Sequence, residues 1–385
     1  MIEISKTNGN NKMNSDRLGY YRVGWKKFYN KTLALLESKQ TGYEVDWIFN
    51  NDIYEKIDWT VPVVETLDQL YLRRALQLRN DYDYLVLYFS GGADSTNILK
   101  VFVDNNIFLD EIVMQYPEPT VKTFNEHDKS NKNIYSEIKY QAIPTLNNLK
   151  INPKTHIRYQ DFAKPLLDLL DTDNWFDRIP MGTNISPSGI GRQISQVVEP
   201  HILELCSKGK NIAQILGVDK PLVHCDGTNY FAYFSDVSAM HSPPVDYTQS
   251  EVFNNLYHTE FFYWTPNLPE IVVKQAQLIK AYCETSEDAK LKIMSSMKKH
   301  IGTFRPLLHS IIYSPDLVIA WDPEKPNSKI VRPMDQWFWE TGTTNQIGNY
   351  RAVINYLKEN TNSKYMIDND IENGLSAHTT GFYKL

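Results

Sequence analysis

The sequence predicts an α/β protein with a parallel sheet, and three observations carry that expectation. The apolar, β-prone run Tyr84-Leu85-Val86-Leu87-Tyr88-Phe89 breaks abruptly into Ser90-Gly91-Gly92, and an amphipathic helical pattern follows through Ile98, Leu99, Phe102 and Val103. Two more short apolar runs, 109–116 and 155–159, alternate with helix-length segments, as in a strand–helix–strand succession. The composition, 42% apolar and 22% charged over 385 residues, is that of a chain able to bury a core.

That length suggests two or three units. Residues 1–80 read as an N-terminal helical extension, 81–240 as the α/β domain, and 241–385 as a mostly helical, aromatic-rich region. Residues 1–18 are polar, with Asn8, Asn10, Asn11 and Asn14. Trp25 to Lys39 reads as a helix, with apolar contacts from Trp25, Phe28, Leu33, Leu35 and Leu36. Thr66 and Gln69 can form a capping box for a second helix that runs to Arg79. Leu67, Leu70, Tyr71 and Leu78 fall near one face of it, which Arg74 interrupts. Arg73, Arg74 and Arg79 read as solvated arginines, or one of them reaches a phosphate.

In the α/β domain, Leu85–Phe89 is the first strand and 109–116 the second, stopped by Pro117. Ligands of parallel α/β sheets sit beyond the carboxyl ends of strands, so Met114, Gln115 and Tyr116 are candidates to meet an adenine or ribose. Asn125–Leu149 reads as a crossover helix, Thr155–Tyr159 as the third strand, and Phe162–Leu170 as another helix. The stretch from Arg178 to Gln193 holds three glycines and two prolines and is too polar for core; a loop of this kind binds or covers something. His201–Leu216 reads as helical. Gly217–Pro221 is a turn, and Asp226-Gly227 marks a hairpin between Pro221–Cys225 and Tyr230–Asp236. Two readings stand for Lys220: a turn lysine in water, or, with Asp219, part of a site in which it stabilises developing charge.

Pro243-Pro244 marks a domain edge. The aromatic stretch Glu260–Pro269 reads as domain packing or as a pocket wall, and Glu270–Cys283 as a helix. Lys290, Lys292, Lys298, Lys299 and His300 form a basic helix, a solvated face or a contact for nucleic acid. Trp321, Trp337 and Trp339 read as packing, and Gln346–Lys358 as the last helix. The net charge of −6 gives no global basic footprint. Cys206, Cys225 and Cys283 are far apart and form no zinc pattern, which fits a reducing, cytoplasmic setting. No window has the length of a membrane span.

Strand, glycine turn and helix is the layout of a phosphate cradle. Two glycines let the backbone curl and aim N–H groups at one anion, and the helix adds its free amides and dipole. Asp94 is the only acid in the loop, placed to hold Mg²⁺ beside bound phosphates. Ser90-Gly91-Gly92-Ala93-Asp94-Ser95 after a buried strand resembles the PP-loop of the N-type ATP pyrophosphatases, a group with asparagine, GMP and NAD synthetases, argininosuccinate synthetase, and tRNA-modifying ligases and thiolation enzymes. The resemblance spans about Asp83 to Lys100. No lysine follows the glycines, unlike the Gly-x4-Gly-Lys-Ser/Thr pattern.

The resemblance implies a Rossmann-like core of the HUP type that binds ATP and Mg²⁺ and cleaves ATP between its α and β phosphates. It implies that Ser90, Gly91, Gly92, Asp94, Ser95 and Thr96 bind the nucleotide, with Asp94 on the metal. Gln115 and Tyr116 are the further nucleotide candidates, Lys220, Arg178 and Arg192 those for neutralising pyrophosphate, and Met181–Gly191 that for a lid. Only residues 1–89 precede the loop, too few for a glutaminase domain, and Ile2 rather than cysteine follows Met1. Nor is there an Asp-Gly-x-Asp-Glu signature, a four-cysteine zinc site or a Cys-x-x-Cys pair, against glutamine-dependent asparagine synthetase, deazaguanine nitrile synthases and iron–sulfur thiolation enzymes respectively. The leading expectation is a ligase that adenylates a small-molecule acceptor for attack by ammonia or an amine, free or delivered by a partner. The alternatives are a nucleobase, tRNA or DNA modification enzyme using the same activation, and a non-catalytic adenine-nucleotide-binding module.

Overall fold

Five parallel strands set the geometry of everything near the loop: β4 (Tyr84–Tyr88), β5 (Glu111–Tyr116), β6 (His156–Asp161), β7 (Ile212–Leu216) and β10 (Tyr257–Phe261). The computed structural model describes residues 16–127, 133–172, 175–178, 182–194, 199–241, 255–295, 308–313, 317 and 329–385. In space the strands run β10-β7-β4-β5-β6. The chain therefore starts in the middle, steps outward twice on one side, then returns to the other side. This is the strand order of a doubly wound Rossmann-like sheet, with its reversal between β4 and β7. Tyr84 pairs with Ile212 and Leu87 with Ile215 across that junction.

Both faces of the sheet are packed. Leu85, Leu87, Phe89, Ile112 and Met114 enter the main core with Ile98, Leu99 and Phe102 of helix Ala93–Asp104, while Val86, Val113 and Ile212 pack with Ile202 and Cys206 of helix Pro200–Ser207. Alternate strand residues point to opposite faces, so one near-continuous apolar run serves two cores.

The N-terminal extension is not purely helical. β1 (Tyr20–Val23) pairs antiparallel with β2 (Lys26–Phe28) and with β3 (Val45–Ile48). The expected helix from Trp25 starts later, as α1 (Lys31–Thr41). Gly24 turns the chain at φ 58°, and the Asn30 side chain caps Leu33 N–H at 3.1 Å, fixing the true start. Trp25 is 82% exposed rather than an apolar contact. The expected capping box of Thr66 and Gln69 does open α2 (Leu67–Asp81). Its Arg74 is not solvated but 1% exposed, bonded to Glu260 at 2.6 Å and to the Phe261 carbonyl at 2.9 Å. Arg79 pairs with Asp110 and Arg73 with Glu65, so none of the three arginines is unpaired.

Two further expectations are corrected. His201–Leu216 is not one helix: the helix ends at Ser207, Gly209 sits at φ 77°, and the chain re-enters the sheet as β7. Nor does residue 240 end the α/β unit, since β10 completes the sheet from beyond it and Tyr257–Phe261 pairs in register with Ile212–Leu216. The third sheet joins β8 (Leu222–Cys225) and β9 (Tyr230–Tyr233), the expected hairpin, to β11 (Tyr383–Lys384) near the C-terminus. Helices Glu270–Thr285 and Thr344–Asn360 lie where the sequence places them, a few residues longer. No helix among the described residues is long and apolar enough to cross a membrane.

Candidate functional site

The loop after β4 takes its shape from Gly91, at φ 82°, where an added Cβ would come 2.8 Å from the Ala142 backbone nitrogen. Ala142 belongs to a π turn, Ile138–Ala142, within the segment expected as a plain crossover helix, and it packs directly on the loop. The other loop residues hold that curve. Thr96 Oγ1 donates to Gly91 O at 3.1 Å, Ser95 Oγ donates to Gly92 O at 3.2 Å, and Gly92 N–H donates to Ser90 Oγ at 3.2 Å. Ser95 and Thr96 are buried and Ser90 is exposed. No side chain caps the helix Ala93–Asp104, so its N-terminus lies uncapped close to Ser90.

The loop and the turn after β7 meet at the reversal of strand order. Lys220 Nζ lies 2.8 Å from Asp94 Oδ1 and 2.9 Å from Asp219 Oδ1, and its side chain is 8% exposed. Burial would pull the ammonium down, but Asp219 and Asp94 outweigh it and hold Lys220 above its ordinary value. Burial would likewise push the Asp94 carboxyl up, yet Lys220 and hydrogen bonds from Lys220 and Tyr313 keep it below the usual carboxylate range. Asp94 and Lys220 are thus both charged at neutral pH. Gly217 lets the two turns come together: a Cβ there would meet Asp94 Cβ at 3.2 Å and Ser95 N at 3.3 Å.

Behind the loop stands a set of tyrosines from elsewhere in the chain. Tyr313 donates to Asp94 Oδ1. Tyr263 donates to the Asp94 carbonyl at 2.9 Å and accepts from Asn97 Nδ2 at 3.0 Å. The Tyr71 hydroxyl donates to the Ile312 carbonyl at 2.6 Å and accepts from Gln275.

No protein-family model matches the chain, and no curated protein matches it.

The remaining expected residues are placed as follows. Phe89 N–H bonds to Val113 O, and β5 continues past that point to Gln115 and Tyr116, which flank the loop's strand at the carboxyl edge. Gln115 donates to Gln160 at 2.9 Å, Tyr116 packs on Tyr135 and Tyr159, and Met114 is in the core. Arg192 lies in the helix Pro187–Ile194. Its guanidinium lies 6.0 Å from the Phe162 ring centroid, and burial outweighs Glu137 and lowers its pKa. Arg178 closes a 3-10 turn, Trp175–Arg178, and its side chain lies outside the described part of the molecule, as do Pro180 and Met181.

The expected lid is corrected where it is described. A helix starts at Pro187, inside the stretch expected as a loop, and Ile185, Ser186, Ser188 and Ile190 are buried. Ser188 N–H donates to Asp335 at 2.8 Å, and Arg332 bonds Ser186 and Asp335. Polar residues sit inside because each finds a partner there. Pro243-Pro244, Lys298, Lys299, His300 and Trp321 lie outside the described residues. Tyr313 and Tyr263 carried no signal as site residues: one has no motif, and the other sits in an aromatic stretch open to two readings.

The donor set suits a magnesium-bound polyphosphate. Among the described residues no cluster of three or more His, Cys, Asp or Glu is placed to hold a metal by itself. Mg²⁺ on phosphates asks for one or two carboxylates, with phosphate and water oxygens completing its shell. Asp94 and Asp219, with the uncapped helix and Lys220 beside them, match that requirement.

Proposed function

We propose that the chain is an adenylating enzyme of the PP-loop type, which releases AMP and pyrophosphate and activates a carbonyl or carboxylate of a small acceptor for attack by ammonia or an amine. One observation carries the reading: a lysine held between two carboxylates, at the strand-order reversal, beside an uncapped helix N-terminus. ATP supplies the α-phosphorus to which the acceptor oxygen bonds as the link to the leaving pyrophosphate breaks. The residues' work is electrostatic. The helix amides and the Ser90 hydroxyl would take the pyrophosphate oxygens, Lys220 would exchange Asp94 for the developing charge while staying paired with Asp219, and Asp94 and Asp219 would hold the metal. The Ser90–Thr96 loop is fixed before reaction by its own hydrogen bonds, so the rearrangement is confined to Lys220 and the contacts of Asp94.

The test is product analysis. Incubation with ATP, Mg²⁺ and pooled small-molecule acceptors with ammonia should yield AMP and pyrophosphate. ADP and phosphate as products would sink the reading. Asp94→Asn should lower pyrophosphate release by about a hundredfold or more, the scale of losing one fixed electrostatic element.

A further inference from the structure

Asp94 Oδ1 receives two donors in this structure, Lys220 Nζ at 2.8 Å and the Tyr313 hydroxyl. The two are not equivalent. Lys220 has a second carboxylate, Asp219, and a flexible stem, so it can leave Asp94 and stay paired. Tyr313 is fixed from behind. It is 5% exposed, its N–H bonds to His309 O at 3.0 Å, and the carbonyl just before it is tied to Tyr71, which is tied to Gln275. Its ring lies 5.8 Å from Tyr263, whose hydroxyl grips the Asp94 backbone. The phenol is therefore held at the carboxylate by the fold and does not drift there as a surface contact would.

From this geometry we infer that Tyr313 is a positioning residue that keeps Asp94 in reserve, so that the loop takes up a divalent cation together with a phosphorylated ligand and not alone. The inference rests on the nucleotide reading above. A bare cation must displace both donors to take Oδ1 or to chelate the carboxylate, and gains little else. With a polyphosphate present, Lys220 exchanges Asp94 for phosphate, and the cation gains phosphate oxygens, so displacing the phenol is offset. The ligand class is a magnesium-bound pyrophosphate group, free or as part of a nucleotide.

The test uses the full chain, Mg²⁺ and inorganic pyrophosphate, with calorimetry and thermal shift as readouts and no turnover required. In the unaltered protein the half-saturating Mg²⁺ concentration without pyrophosphate should exceed that with it by at least about tenfold. In Tyr313→Phe, Mg²⁺ alone should bind about tenfold more tightly, the scale of one hydrogen bond to a charged group. Tyr350→Phe loses a buried hydroxyl's bond to the Ile185 carbonyl and no bond to the loop, and should leave the Mg²⁺ requirement unchanged, which separates this role from loosened packing. The unaltered protein gives a second measurement: magnesium pyrophosphate should shift the tyrosine ultraviolet difference spectrum as a buried phenol loses its acceptor. An unchanged Mg²⁺ requirement in Tyr313→Phe, or no spectral change, with pyrophosphate binding intact, overturns the role of Tyr313 alone. Absence of any magnesium pyrophosphate binding overturns it together with the nucleotide reading.

Discussion

Lys220 is 8% exposed on its side chain and shared by Asp94 and Asp219, so its removal leaves two carboxylates facing each other without a cation. Lys220→Ala should cost about 1–3 kcal/mol of stability in the nucleotide-free protein, below the loss at a fully buried pair because Asp94 and Asp219 keep part of their solvation. Chemical denaturation measures it. The same variant should lose about 10²–10³ in pyrophosphate release. Gly91 is the other exacting position. Its φ of 82° and the 2.8 Å approach to Ala142 N mean that Gly91→Ala strains the loop twice, once in the backbone and once against the π turn. A loss of about 1–3 kcal/mol, with weakened nucleotide binding by calorimetry, is expected. An unchanged Tm and affinity would show that the loop adapts.

At the level of elements, what was legible depended on how local the signal was. The strand Tyr84–Tyr88, its glycine turn and the helix after it form one continuous pattern of a few residues each. So does the Thr66–Gln69 capping box. β7 was lost inside a presumed helix because Ile212-Ala-Gln-Ile-Leu follows an amphipathic run, and apolar residues at that spacing suit either period. Gly209 between two lysines was the available break. The burial of Arg74 was hidden for another reason: its partner Glu260 is 186 residues away, and pairing at that range leaves no mark on a helical periodicity. The polar stretch after Arg178 misled in the same way, since its interior partners lie at 332–337. In the candidate site, Ser90–Thr96 were readable as a motif and Lys220 as one of two readings, whereas Tyr313 and Tyr263 were not. A direct consequence concerns the boundary at 240. A chain ending there lacks β10, the Glu260 partner of Arg74 and helix Glu270–Thr285, and leaves the buried strand β7 as a sheet edge. Such a chain should be aggregated or unfolded by circular dichroism, and a soluble, cooperatively melting product would contradict this.

On the scale of the whole molecule, one buried charge cluster ties four distant segments. Lys31 and Asp236 are fully buried and 2.5 Å apart, Tyr21 donates to Asp236 at 2.8 Å, Thr183 donates to it at 2.8 Å, and Lys31 also bonds the Ser376 carbonyl. His378 lies 3.7 Å from Asp236, and burial holds its imidazole below the ordinary 6.5. Burial would raise the Asp236 carboxyl, but Lys31 and His378 outweigh it and hold it well below 3.8. Both folded values are depressed, so both groups give stability that is present above the unfolded values and lost as pH falls. Tm should be level above about pH 7, begin to fall below about 6.5 as the unfolded chain takes up the His378 proton, and fall more steeply below about 4. Asp94, Glu111 and Glu260, each held low by its cationic partners against burial, add to that lower limb. His378→Phe should shrink the upper step in a calorimetric pH series to what His258, also held low by burial, contributes, and should reduce the lower step as well, since His378 helps hold Asp236 down.

The tie between Tyr313 and Asp94 has a consequence in time. The two residues are 219 positions apart in the chain. At a synthesis rate of about 5–20 residues per second, the loop emerges roughly 10–45 s before the tyrosine that braces it exists. For most of that interval the nascent chain carries the glycine turn, the uncapped helix and a sheet that still lacks its last strand, Tyr257–Phe261. On the role proposed for Tyr313, the early loop has its own hydrogen bonds but not the phenol that holds Asp94 in reserve, so that restraint is added only once Tyr313 has been translated.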